Sequence, residues 1–220
     1  MLRLFRDHGL FWVNAFLFLA FFLGMVLTGA SAYSDDQVEH GGKAITVIQY
    51  LGTGDFVEAT FENWESEFLQ MGSYVVLTIF LFQKGSSESK PPGETAPQDQ
   101  DPRKVKLTAS TPWPVRRGGL VLVLYENSLL ILFGTLFIAS VLLHAAGGNA
   151  AYNEDQTEHG QPTLGYWQFF GTSEFWFQSF QNWQSEFMVV ALIVLSSVYL
   201  RQRGSSQSKP VAAPNTETDG

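Results

Sequence analysis

Cysteine is absent from the 220 residues. Its absence excludes disulfides, thiolate metal ligands and a cysteine nucleophile, and it leaves no redox mark of compartment. Cationic side chains are scarce: 13 Lys and Arg stand against 21 Asp and Glu, for a formal net charge of −8. That balance argues against nucleic acid as a partner. The sequence also has no phosphate-binding GxxxxGK[ST] loop, no GxGxxG after a strand, no GxSxG and no HExxH. No residue is nominated as catalytic, and these patterns identify no particular cofactor.

What the chain has instead is apolar runs. Residues 10–28 are almost wholly apolar, and about 19 such residues suffice for one bilayer crossing as a helix. Ala30-Ser-Ala32 looks like a signal-peptidase site. The matching segment 129–147 is internal, however, and is followed by Asn149-Ala-Ala-Tyr152 as the first is by Ala30-Ser-Ala-Tyr33. The first run is therefore expected to be a retained transmembrane helix. Two further crossings are expected over 63–82 and 182–200. In the first of these, Phe61, Trp64, Phe68 and Met71 recur at helical spacings of three and four and lead into a short apolar run.

The same stretch reveals a duplication. Phe61-Glu-Asn-Trp-Glu-Ser-Glu-Phe68 returns as Phe180-Gln-Asn-Trp-Gln-Ser-Glu-Phe187, and Gly-Ser-Ser-x-Ser-Lys-Pro ends both copies, at Gly85–Pro91 and Gly204–Pro210. The offset is constant at about 119 positions from Tyr33/Tyr152 onward, with roughly 25 of about 59 positions identical. The expected fold is an all-α membrane protein: four transmembrane helices from a tandem two-helix repeat, with interfacial amphipathic helices in the outer loops. The repeats occupy residues 1–91 and 118–210. A Pro-, Ser-, Gln- and charge-rich stretch, 92–117, reads as a flexible cytoplasmic linker, and 211–220 reads as a disordered tail.

Charge sets the orientation. Apart from Lys43, every Lys and Arg lies near the N-terminus, in 84–117 or in 201–209, while the remaining loops are acidic. By the positive-inside rule both termini and the linker are cytoplasmic. Each half then begins and ends on one side, so the repeats are parallel and related by a pseudo-two-fold axis along the membrane normal. The partners implied are the lipid bilayer and further copies or a larger membrane complex.

Phe61-Glu-Asn-Trp-Glu-Ser-Glu-Phe-Leu-Gln70, Lys84-Gly-Ser-Ser-Glu-Ser-Lys90 and Glu39-His-Gly41 together resemble an uncharacterised family of bacterial membrane proteins, known as a domain of unknown function. The resemblance covers the chain apart from linker and tail. It implies a bacterial inner-membrane location and brings over no activity, substrate or site residue.

Three constellations carry candidate chemistry. Glu39 and His40 recur as Glu158 and His159 in the outer loops, and two such pairs joined at the axis have the donor types for a divalent metal. The plain alternative is a loop turn with a helix cap. His144, with Met25 as its counterpart, lies within the third apolar run and reads as a hydrogen-bonded interfacial histidine. Asn63, Ser66 and Glu67, with Asn182, Ser185 and Glu186, stand at i, i+3 and i+4, converging on one helix face. They read either as interhelical glue or as paired carboxylates sharing a proton or cation. By contrast Glu62 and Glu65 become Gln181 and Gln184, which marks them as tolerant positions. The functional expectation is a structural or accessory envelope protein of unknown activity; the alternatives are a small ion or solute conduit and a metal-dependent membrane enzyme.

Overall fold

The computed structural model describes residues 2–91, 93 and 96–218, with side chains from Asp7 onward. The side chains of Arg3 and Arg6, linker residues 92, 94 and 95, and tail residues 219–220 lie outside the described residues. Among those described, the structure is helical with no strand.

Helix α1 (Leu2–Glu39) leaves helical geometry at His8, where φ is −134°. Its continuation from Asp7 and helix α6 (Ser128–Glu158) are long and apolar enough to cross a membrane. Only 6% of the most apolar stretch of α1 and 17% of that of α6 is buried. A soluble core would bury most of such a surface. Helices α3 (Gly54–Phe80) and α8 (Ser173–Tyr199) have 27 residues each, with Asp55 and Glu174 in their first turns, where a carboxylate suits the helix dipole. The aromatic stretch and the apolar run of α3 are one unbroken helix, so the Asn-Trp motif lies at its centre. The outer loops carry the short helices α2 (Val47–Tyr50) and α7 (Tyr166–Phe170), while α4 (Trp113–Arg117) and α5 (Gly119–Glu126) precede α6. Within the linker, Pro97–Asp99 forms a 3-10 turn.

The chain forms two compact units. The first comprises Met1–Phe61 and Leu142–Phe175. Here α3 and α6 approach closely through glycine: a Cβ on Gly54 would lie 2.5 Å from the Ala151 nitrogen, and one on Gly147 would strike the backbone of Val57 and Glu58. Tyr50 is buried and donates to Asp55 at 2.8 Å. Thr46 caps α2, its hydroxyl accepting from Gln49 N at 3.3 Å while Gln49 Oε1 accepts from Thr46 N at 2.8 Å, a reciprocal capping box. The aromatic core is Phe169 and Phe175, both fully buried.

The second unit comprises Glu62–Val141 and Trp176–Gly220. Phe68 packs on Phe133 and Phe137 on Trp183, with centroids 6.5 and 6.1 Å apart. The two Gly-Ser-Ser segments are built turns with matching bonds. Ser89 Oγ accepts from Gln83 N and Ser208 Oγ from Gln202 N, both at 2.8 Å. Gly85 and Gly204 hold φ of 86° and 88°, which favours glycine. The turns meet through Ser87 Oγ, which donates to Gln207 O at 3.0 Å, and Ser86 bonds Ser197 of α8 at 2.7 Å. Lys209, 3% exposed, directs its Nζ at the carbonyls of Pro214, Asn215 and Glu217.

Candidate functional site

In the second unit, buried polar side chains lie on all three of its long helices. From α3 come Glu65, fully buried, and Ser66, 2% exposed; from α6 comes Ser140, 2% exposed; from α8 comes Ser179, fully buried. Two hydrogen bonds tie α8 to α3 here. Asn182 Nδ2 donates to Glu62 Oε1 at 2.5 Å, and Trp183 Nε1 donates to Glu65 Oε1 at 3.2 Å. Each bond joins a residue to the sequence equivalent of its own neighbour, Glu62 to the counterpart of Asn63 and Glu65 to the counterpart of Trp64. The depth follows from α6. Phe137 stands near the middle of the apolar run 129–147, and the Trp183 ring packs against it. The Glu65–Trp183 bond is therefore level with the centre of that run.

The residues singled out in the sequence are distributed around this seam. Ser66 and Ser185 turn back on their own helices, donating to Asn63 O at 2.7 Å and Asn182 O at 2.8 Å. Asn182 makes the cross-helix bond already given. Asn63 and Glu67 are exposed and Glu186 is partly buried. Glu67 acts electrostatically on Glu186. The cross-helix carboxylates are Glu62 and Glu65, the positions that Gln181 and Gln184 in the second copy mark as tolerant. Their signal was present, since Glu62, Glu65 and Ser66 share one face at spacings of three and four.

An apolar cleft of about 500 Å³ lies on the same unit, lined by Phe68, Gly72, Val76, Leu130, Gly134 and Phe187, among others.

In the first unit the outer pairs are arranged differently. His40 Nδ1 lies 3.0 Å from Asp36 O and His159 Nδ1 lies 2.9 Å from Asp155 O. The Asp36 carbonyl, then its carboxylate, raises the His40 pKa above the ordinary 6.5. Glu158 accepts from Gln37 at 3.4 Å, while Glu154 accepts from Tyr33 and Gln37. Among the described residues no group of three or more His, Asp or Glu is placed to hold a metal ion. His144 is fully buried, its ring tilted against Phe175 at 4.7 Å.

Neither the curated proteins nor the solved structures contain a match to the chain. A family model described as a domain of unknown function (DUF6766) matches residues 1–220, linker and tail included, and the protein belongs to that family.

Proposed function

We propose that the protein is an integral protein of the bacterial inner membrane, crossing it four times through α1, α3, α6 and α8, with both termini and the linker in the cytoplasm. Its two halves are parallel repeats that meet at the Asn-Trp motifs, and its role is structural or accessory within the envelope. The observation that carries the four crossings is the surface of α8. Phe187, Met188, Val189, Leu192, Ile193 and Leu195 are exposed on this helix, whereas Ser179 is buried and Asn182 and Trp183 are engaged within the unit. Apolar outside and polar inside suits a helix surrounded by lipid. Reporter fusions test the topology: one after Gln98 should read cytoplasmic and one after Ala44 exported. The opposite pattern overturns the reading.

A conduit for a small ion is the second reading. It is favoured by the complete burial of Glu65 level with the middle of the α6 apolar run, because ionisable side chains within membrane spans mark ion and proton pathways.

A further inference from the structure

The apolar cleft of the second unit stops halfway along its helices. On α3 its lining runs from Phe68 to Leu77, on α6 from Phe137 back to Leu130, and α8 adds Phe187. At 1.5 Å per residue the α3 side is about 14 Å long, roughly half of a hydrocarbon core of about 30 Å. The inner end is Phe137, the ring that meets Trp183 near the middle of the α6 apolar run. The other end lies close to where α3 stops at Phe80 and α6 starts at Ser128. In a bilayer centred on that run, the cleft occupies one leaflet.

The cleft has the size and chemistry of a hydrocarbon slot. Its volume of about 500 Å³ lies within the range of about 300–1,000 Å³ common to ligand pockets. Among the described residues Ser73 is the one polar side chain in the lining. A Cβ on Gly72 would meet Phe133 at 3.3 Å, while a Cβ on Gly134 would meet nothing within 4 Å. The Gly72 side is closed and the Gly134 side is open. Apolar walls without neighbours forfeit dispersion contacts. A packing seam for another helix would continue across the bilayer; a slot that ends at mid-depth matches a chain entering from one side.

That side carries cations. Lys84 follows the end of α3, and Arg116 and Arg117 close α4, ahead of α5 and α6. All three are exposed. Among the described residues they enter no ion pair, whereas Lys90 is paired with Asp99 and Arg103 with Glu126. Unpaired basic side chains beside an apolar span attract anionic lipid headgroups. We propose that the cleft holds one acyl chain of an anionic phospholipid of the cytoplasmic leaflet, with the headgroup drawn to Lys84, Arg116 and Arg117.

This site rests on the membrane reading but is tested separately from it. The full chain, stripped of lipid in detergent and given phosphatidylglycerol or phosphatidylcholine, is followed by native mass spectrometry. One phosphatidylglycerol per protein should be retained at collision energies that remove phosphatidylcholine. Gly134→Leu fills the slot from its open side and should lose the bound lipid. The triple change Lys84→Gln, Arg116→Gln and Arg117→Gln should abolish the preference over phosphatidylcholine. If Gly134→Leu does not fold, Val76→Phe fills the slot from α3 and gives the same reading. Retention unchanged in the filled variants overturns the slot. Equal retention of the two lipids by the wild type, or a preference that survives the triple change, overturns the anionic headgroup. A dimer that Gly134→Leu dissociates would assign the cleft to a second copy and overturns the proposal as well. Any of these failures with the reporter fusions reading as expected removes this site and leaves the topology standing.

Discussion

The Trp183 indole donates to Glu65 across the α3–α8 seam at 3.2 Å, with Glu65 fully buried; the equivalent residue of the second copy, Gln184, is exposed. Truncating the two should therefore have unequal effects. Glu65→Ala leaves an indole N–H unsatisfied and opens a cavity, and should cost about 2–4 kcal/mol. Gln184→Ala should stay within about 0.5 kcal/mol. Thermal unfolding in detergent measures both, and equal losses would contradict the asymmetry.

The glycines of α6 should separate in the same way. Gly147 faces the Val57–Glu58 backbone with no room for a Cβ, while a Cβ on Gly134 would meet nothing within 4 Å. Gly147→Ala should force α3 and α6 apart and cost about 1–3 kcal/mol. Gly134→Ala should be neutral or gain up to about 1 kcal/mol from helix propensity. Paired melting curves provide the comparison.

Glu67 acts electrostatically on Glu186, and Glu67 is exposed. Either single change to Gln should leave the melting temperature unchanged or raise it slightly, and the double change should add nothing further. A double-mutant cycle reads the coupling. A double loss larger than the sum of the singles would show instead that the pair holds a shared proton or cation.

His40 supplies a pH signature outside the apolar segments. Its folded pKa is raised, chiefly by the Asp36 carbonyl. A raised value means that folding favours the protonated ring. The contribution is complete below the ordinary value of about 6.5 and is lost as pH rises through the folded value. The difference in melting temperature between wild type and His40→Gln should shrink over that interval, and a difference that grows with pH would reverse the sign.

The helical class, the long apolar helices α1 and α6 and the placement of the motif on a helix were legible from periodicity and run length. The seam was only partly legible. Matched residues of the two copies differ in surroundings: Glu65 is buried where Gln184 is exposed, and Ser66 is buried where Ser185 is half-buried. Glu65 lies inside the α3–α8 seam and Gln184 at the surface, a difference that a sequence match does not register. The Gly-Ser-Ser sequences by themselves show only small polar residues after a helix. Their Ser hydroxyls instead close defined turns, because a short polar side chain six residues on can reach back to a free backbone N–H.

The central claim is that α3 and α8 cross the bilayer beside α1 and α6. Because the chain has no cysteine, single cysteines at Leu77 on α3 and Met188 on α8, both exposed apolar positions, carry unique spin labels. In reconstituted bilayers both labels should collide with dissolved oxygen far more than with a water-soluble nickel chelate, as lipid-facing sites do. Collision dominated by the chelate at either position would remove that helix from the membrane and contradict the four-crossing account.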